Sequence, residues 1–362
     1  MLYYLSEFRE LFSWLNIFRY ITFRASMAGV TAFFICLVFG PYFIRKLQAL
    51  KIKEIAKRAD CPDLDQFQTT KEGTPTMGGI FIIGSILFSV ALWSDLTNFY
   101  ILMTMIVCFW LAVLGFIDDY TKLTNTGKKR GLNKRTKLIW QILIGCVVGF
   151  YLYMNPNTST KLDLPFFKDV LVDLGVYYIP FVVVILIGTS NAVNLTDGLD
   201  GLAIGCVLIV SMTLAILSYI TGHIQMSQYL FIPYVAGAGE LTIFCTAIVG
   251  ASLGFLWFNC YPATIFMGDV GSLALGGTLG AIAVMIKKEL LLVILGGIFV
   301  VEALTVILQV LSFRIWGKRI FKMSPFHHHL QLSGWKESKI IIRFWIIAIV
   351  LALITLTTLK IR

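Results

Sequence analysis

The chain has 362 residues, of which 58% are hydrophobic and only 14% are charged, and its mean hydropathy is +0.83. Because a soluble protein has roughly 25% charged residues, this composition excludes an ordinary soluble domain and predicts an integral membrane protein. The net charge is +10, but the sequence contains no basic module interleaved with aromatic residues. The excess of Lys and Arg therefore indicates membrane topology and lipid contact, and we expect no nucleic-acid partner.

The first twenty residues mix aromatic side chains with polar ones at helical spacing. This pattern predicts an amphipathic helix over residues 1–20 that lies on the membrane surface. The segment has neither a basic first region nor a small-residue cleavage site, so we expect no cleaved signal peptide.

Ten apolar runs long enough to cross a bilayer follow. Their approximate cores are 22–44, 77–93, 99–117, 138–154, 174–190, 202–220, 241–259, 272–286, 290–313 and 340–359. The ninth run contains Gly296-Gly297, where we expect the helix to bend or break. The predicted fold is therefore all-α: a polytopic membrane protein with about ten transmembrane helices in one domain, 1–362.

The distribution of positive charge orients these runs. The loops after the first, third and ninth runs carry seven, seven and six Lys or Arg residues, whereas the loops after the second and sixth carry none. Since cytoplasmic loops are enriched in Lys and Arg, odd-numbered loops are predicted to face the cytoplasm. With ten spans, both termini are then expected outside.

All the polar, Gly-rich or His-rich stretches belong to odd-numbered loops. They are 71–79, 118–119, 191–201, 259–272 and 324–329. The fifth loop, 191–201, holds two Asp and two Asn between long apolar runs, with no Lys or Arg. Unpaired carboxylates near hydrocarbon are costly, which favours a site for a metal or polar ligand. The alternative is a solvated turn in which Asp200 caps the next helix.

Three further carboxylates lie at span ends. Asp118 and Asp119 fall at the C-terminal end of the third run, where the helix dipole disfavours them by up to about 1 kcal/mol each, so a cation or Lys122 is expected nearby. The alternative is a solvated pair at the membrane edge. Asp269 lies just before the eighth run and either caps it, with Ser272 at the third helical position, or offers a carboxylate to Mg²⁺.

Basic groups occur in the same loops. A run such as His327–His329 can be a metal site, but consecutive residues cannot easily all reach one ion, so at most one or two are expected to act. Basic His and Lys side chains near carboxylates fit an anionic substrate better. Lys71 precedes a small-residue turn that suits phosphate, although the turn lacks Walker spacing and equally fits a helix start with Pro75 in its first turn. Acids, Mg²⁺ and basic groups together predict phosphoryl transfer to or from a lipid.

The chain resembles, end to end, the phospho-N-acetylmuramoyl-pentapeptide-transferase (translocase I) family of the polyprenyl-phosphate N-acetylhexosamine-1-phosphate transferase superfamily. The most specific stretches are Lys71–Gly79, Asp118-Asp119, Asn191–Gly201, Phe266–Ser272 and Pro325–His329. The acid pair and the Asn-x-x-Asn-x-x-Asp-Gly-x-Asp-Gly pattern are similar across the superfamily, whereas Pro-Phe-His-His-His indicates the muramoyl branch.

The resemblance implies a Mg²⁺-dependent enzyme of peptidoglycan synthesis in the bacterial inner membrane. It would transfer phospho-MurNAc-pentapeptide from UDP-MurNAc-pentapeptide to undecaprenyl phosphate, giving lipid I and UMP. The family is usually dimeric, has a broken ninth helix and has its active site on the cytoplasmic side.

The same resemblance implies roles for individual residues. The catalytic set is Asp118, Asp119, Asp269 and His327, and the three acids, Asp269 first, are the metal ligands. The substrate-binding set is Lys71, Thr76, Asn191, Asn194, Asp197, Gly198, Leu199, Asp200, Phe266, His328 and His329, with the Phe266 ring under the uracil.

Direct attack of the lipid phosphate on the β-phosphorus is the favoured mechanism, with Asp118 positioning or deprotonating the nucleophile; a covalent aspartyl intermediate is the alternative.

Two other functions are open. A GlcNAc-1-phosphate transferase is disfavoured by the His run, and an ion-coupled transporter by acids at helix ends, since transporter sites usually lie near the midplane. Glu302 and Gln309 lie inside the ninth run, seven residues apart on one helix face, as interior polar residues or groove lining.

Overall fold

The computed structural model describes residues 1–10, 12–50, 73–124, 131–155, 158–163 and 171–360. Their helices are α1 (Ile21–Ala49), α2 (Gly79–Trp93), α3 (Phe99–Thr124), α4 (Lys134–Met154), α5 (Tyr178–Thr196), α6 (Leu202–Thr221), α7 (Ile224–Tyr229), α8 (Leu241–Asn259), α9 (Gly268–Met285), α10 (Leu291–Leu295), α11 (Gly297–Trp316), α12 (Phe326–Gln331) and α13 (Glu337–Thr357). A small antiparallel hairpin pairs β1 (Lys161–Asp163) with β2 (Leu171–Asp173), and Leu162 lies opposite Val172.

Within the described ranges, nine helical segments are long and apolar enough to cross a membrane. The fifteen-residue helix α2 is equally apolar but shorter. The all-α, polytopic fold is therefore confirmed. Our count of about ten spans adds α2 to the nine; the count and the outside termini stay predictions.

The predicted break in the ninth run is confirmed. Helix α10 ends at Leu295 and α11 begins at Gly297, with Gly296 between them outside helical geometry at φ −86° and ψ 20°. The packing accounts for small residues at this point, because a Cβ atom on Gly297 would lie 2.8 Å from Cδ1 of Leu351 on α13.

The amino-terminal segment differs from our expectation of one continuous amphipathic helix over residues 1–20. It forms two 3-10 segments, Leu2–Glu10 and Ser13–Arg19. The terminal amine donates to the backbone oxygens of Ala91 and Leu92 at the end of α2, at 2.9 and 3.2 Å. These tertiary contacts hold the amino terminus against the end of α2. Its position at a membrane surface stays a prediction.

Helix α9 occupies the centre of the bundle. Every residue from Val270 to Met285 is buried, and the helix packs along both α3 and α5. Small residues allow this close approach: a Cβ atom on Gly276 would lie 2.5 Å from the backbone oxygen of Thr189 in α5. The amino end of α9, which carries Asp269, is thereby fixed in the middle of one end of the bundle.

Buried polar contacts lie at the opposite end of the bundle. Lys288 contacts Asp163 of the hairpin at 2.8 Å, and the Tyr178 hydroxyl donates to Glu289 at 2.6 Å. Burial is the largest influence on the Glu289 carboxyl, and it raises the pKa of this group. The first contact attaches the hairpin to the loop after α9, and the second joins that loop to the start of α5, far from Asp269.

Candidate active site

Three carboxylates meet at the end of the bundle where α9 begins. Asp118 and Asp119 are buried in the last turns of α3, at 4% and 6% exposure, and Asp269 is the second residue of α9. The two helices touch through their backbones, because a Cβ atom on Gly115 would overlap the backbone oxygen of Asp269. One oxygen from each carboxylate lies within 4.8 Å of the others, so the predicted acids are brought together.

Two lysines lie among these acids. Lys122 Nζ is 2.8 Å from Asp118 Oδ2, 2.9 Å from Asp269 Oδ2 and 3.4 Å from Asp119 Oδ1. Lys137 Nζ is 2.8 Å from Asp269 Oδ2 and 3.6 Å from Asp118 Oδ2. We call these five residues the acid–lysine cluster. Its lysines offset the cost of placing carboxylates at the carboxyl end of α3.

Lys137 was not among our predicted site residues, although the sequence contains a signal for it. Lys134, Arg135 and Lys137 all fall in the first turn of α4, which Asn133 caps. The positive end of the helix dipole disfavours cations there. Cations at such a position indicate anions nearby, and here one of the three reaches Asp269.

The two predicted asparagines of the fifth loop separate in the structure. The Asn194 side-chain amide donates to Asp269 Oδ1 and to the Ser272 hydroxyl, both at 2.8 Å, so it orients the carboxylate. Asn191 lies about one turn deeper in α5 and donates to Gln141 of α4 at 3.0 Å. It therefore joins two helices away from the acid–lysine cluster.

Asp200 connects loops. Its Oδ2 accepts the backbone N–H of Ala263 in the seventh loop, and its own N–H donates to Glu337 at the start of α13, both at 3.0 Å. Leu199 is buried beside it in the core, whereas Asp197 is half-buried where α5 ends. Asp200 and Leu199 therefore hold the fifth loop in place, whereas Asp197 lies nearer the surface of the protein.

Phe266 is tied to the stretch before α2. Its backbone N–H donates to Pro75 at 2.9 Å, its backbone oxygen accepts from Gly78 at 2.8 Å, and its side chain is half-buried. The seventh loop and the 73–79 stretch are therefore one structural unit.

That unit lies against the acids. A Cβ atom on Gly268 would be 2.6 Å from Asp119 Oδ2 and 3.3 Å from Thr76 Oγ1. The Thr76 hydroxyl and the Asp119 carboxylate therefore both lie next to Gly268. Gly268 has φ +74°, so glycine is needed there for its backbone as well. Lys71, the predicted phosphate ligand, lies outside the described residues.

The three histidines point in different directions from the short helix α12. His327 is fully buried, with Nδ1 3.1 Å from Glu302 Oε2, and its Nε2 faces Gly198 closely enough that a Cβ atom there would overlap it. His328 contacts Gln331 at 2.8 Å, and His329 stacks on Phe326 with 5.8 Å between ring centroids. His327 is thus the one placed against the fifth loop.

Glu302 was not among our predicted site residues, since we interpreted it with Gln309 as an interior polar residue or groove lining. Gln309 accepts the backbone N–H groups of Ile320 and Phe321 and so holds the ninth loop. Glu302 instead contacts a predicted catalytic residue. Its signal in the sequence was a carboxylate inside an apolar run, which requires a partner.

Known proteins with similar sequences identify the class to which the chain belongs. Residues 99–287 match the family model described as "Glycosyl transferase family 4", and residues 71–83 match "Phospho-N-acetylmuramoyl-pentapeptide-transferase signature 1". The helical bundle and these matches define a class of protein, the membrane-embedded glycosyl transferases.

Full-length relatives narrow the class. The phospho-N-acetylmuramoyl-pentapeptide-transferase of Pelobacter propionicus is 53% identical, over 96% of each chain. Those of Citrifermentans bemidjiense and Desulforapulum autotrophicum are 52% and 50% identical and cover 100% of this chain and 99% and 100% of their own. The chain belongs to the phospho-N-acetylmuramoyl-pentapeptide-transferase family.

Proposed function

We propose that this protein transfers phospho-MurNAc-pentapeptide from UDP-MurNAc-pentapeptide to undecaprenyl phosphate, forming lipid I and UMP for peptidoglycan synthesis. The acid–lysine cluster at one end of a membrane bundle is the observation that carries the proposal, because it combines metal ligands with cations for phosphate. By family resemblance, the protein acts as a homodimer in the bacterial inner membrane with this cluster facing the cytoplasm.

The residues present fit Mg²⁺. This ion prefers oxygen ligands and is usually held by one or two carboxylates together with substrate phosphates. Asp118, Asp119 and Asp269 supply such oxygens within 4.8 Å of one another, and Asn194 orients Asp269. When bound, Mg²⁺ would reduce the charge repulsion between the two phosphate-bearing substrates.

In the proposed reaction, an oxygen of the lipid phosphate forms a bond to the β-phosphorus of the nucleotide. The bond from that phosphorus to the bridging oxygen breaks, and UMP leaves with the electron pair. The second pKa of a phosphomonoester is near 6, so about nine in ten lipid phosphates are already dianionic at neutral pH. Asp118 therefore mainly positions the nucleophile, and Lys122 and Lys137 draw the anions together.

The nucleotide is proposed to lie along the fifth and seventh loops. Phe266 would stack under the uracil, Asp197 and Gly198 would line the same cavity, and Lys71 would contact the phosphates. Asp200 and Leu199 would act indirectly, by holding the fifth loop in place, as the contact of Asp200 and the burial of Leu199 indicate.

Purified protein with UDP-MurNAc-pentapeptide, undecaprenyl phosphate and Mg²⁺ should release UMP and form lipid I. UDP-GlcNAc in place of the muramoyl nucleotide should not react; efficient turnover of UDP-GlcNAc would instead support the GlcNAc-1-phosphate alternative. Omitting undecaprenyl phosphate distinguishes the mechanisms. Direct attack predicts no UMP, whereas an aspartyl intermediate predicts about one UMP per active site.

A further inference from the structure

Glu302 of α11 is fully buried, and both of its carboxylate oxygens contact the same residue, His327. Oε1 accepts the backbone N–H of His327 at 3.2 Å, and Oε2 lies 3.1 Å from His327 Nδ1. A carboxylate inside a membrane helix is costly, so such a residue usually has a definite partner and function. Here the partner is the ring and the backbone of a predicted catalytic histidine.

The other ring nitrogen is placed differently. His327 Nε2 is buried and has no hydrogen-bond partner among the residues that the structure describes. It faces Gly198, where a Cβ atom would overlap it, so the absence of a side chain at position 198 gives the nitrogen access to the fifth loop. Buried polar atoms are nearly always paired, and one without a partner requires an explanation.

We propose that Glu302 is a positioning residue that fixes the tautomer of His327. By accepting the hydrogen at Nδ1, the carboxylate leaves the lone pair of Nε2 directed at the fifth loop as a hydrogen-bond acceptor for an N–H or O–H group of the nucleotide substrate. A carboxylate that orients a catalytic imidazole in this way is a recurring arrangement in enzymes. The proposal rests on the proposed site role of His327.

The substitution Glu302→Gln separates this role from packing, because it keeps the shape and removes one acceptor. The backbone N–H of His327 is an obligatory donor, so the Gln oxygen must face it. The Gln NH₂ group then faces Nδ1 and can only donate to it. This forces the hydrogen onto Nε2 and converts the acceptor into a donor.

We therefore expect Glu302→Gln to lower kcat by at least about tenfold, the size of loss that follows at metal sites when the partner orienting an imidazole is mutated, with the melting temperature unchanged. Glu289→Gln is the matched control, since Glu289 is an equally buried carboxylate at the opposite end of the bundle and should leave kcat unchanged. In the His327→Ala background, Glu302→Gln should cause no further loss. A variant above half of wild-type kcat, or losses that multiply in the double variant, would overturn the proposal.

A direct readout does not depend on activity. The chain has four histidines, so selective ¹⁵N-histidine NMR of the full chain in detergent has only four side chains to distinguish. Comparison with His327→Gln assigns the His327 signals. We expect Nδ1–H in wild type and Nε2–H in Glu302→Gln. An unchanged tautomer would refute the positioning role even if the transferase assay succeeds, and a failed assay would refute the proposed function while the tautomer result stands.

Discussion

At the scale of single residues, the site is defined by charge. The acid–lysine cluster holds three carboxylates and two ammonium groups, so with all five groups ionised its formal charge is −1, which a cation can meet. Asp269 is central to it, because its oxygens contact Lys122, Lys137 and Asn194. A simple helix cap would not require these contacts.

Asp269→Asn tests this interpretation, since Asn caps a helix as well as Asp does but lacks the charge. We expect near-complete loss of UMP release with an unchanged melting temperature. The control Asp173→Asn alters an exposed acid of the hairpin and should leave the rate unchanged. More than about a tenth of wild-type activity in Asp269→Asn, a loss below roughly 1.4 kcal/mol, would support the cap.

Lys137→Met removes one of the two cluster cations while retaining the aliphatic part of the side chain. We expect kcat to fall by at least about tenfold, because one preorganised charge at a transition state is commonly worth several kcal/mol. Lys134→Met is the matched control: Lys134 lies in the same helical turn but is exposed to solvent. If both variants lose activity equally, the effect is one of general surface charge and our role for Lys137 is wrong.

Phe266→Ala tests the placement of uridine. Stacking of a base on an aromatic ring is worth about 1–3 kcal/mol, so the KM for the nucleotide should rise about tenfold or more while that for undecaprenyl phosphate hardly changes. Phe266→Trp should be tolerated. Steady-state kinetics with each substrate varied in turn decides the matter. A rise confined to the lipid KM would mean that the ring contacts the lipid, or is only an interfacial aromatic.

At the scale of elements, close backbone contacts position the charges. Gly115 brings the end of α3 against the start of α9, and Gly79 of α2 lies against Gly271 of α9. Local patterns predicted where these helices run and where α10 and α11 separate. They did not predict which faces meet, because a helix surface offers several packing geometries and small side chains determine which approach is close enough.

Gly115→Ala should therefore reduce both activity and melting temperature, because the new methyl group overlaps the backbone oxygen of Asp269 and must push α3 from α9. Gly84→Ala, on α2 with open space around its Cα, should change neither. Thermal unfolding in detergent and UMP release measure the two effects. An active and stable Gly115→Ala would show that this contact does not set the site geometry.

At the scale of the whole molecule, the bundle separates its polar groups into two ends. The acid–lysine cluster and His327 lie at one end, and the hairpin with Lys288 and Glu289 lies at the other. This arrangement is that of an interfacial enzyme, whereas a transporter would place its acids near the midplane. Flux in proteoliposomes would measure transport directly, and we expect none.

The positive-inside pattern predicts that Asn133 and Ser333 face the cytoplasm and Gln225 the outside, and all three are exposed. Single cysteines at these positions, in a cysteine-free background, should react with an impermeant thiol reagent from outside intact cells only at Gln225. Thr196, in the predicted cytoplasmic loop, is fully buried and is unsuitable for labelling, and Asn157, predicted outside, lies beyond the described residues. Labelling at Asn133 or Ser333 from outside would reverse the orientation.

The sequence by itself determined the membrane class, the positions of the apolar helices, the break at Gly296 and the family, because these depend on composition and local pattern. Only the tertiary structure decided which side chains meet. It brought Lys137 to Asp269, turned Asn191 toward Gln141, and joined Glu302 to His327. The physical reason is that neighbouring residues on a helix point about 100° apart, so a small change in packing selects different partners from the same motif.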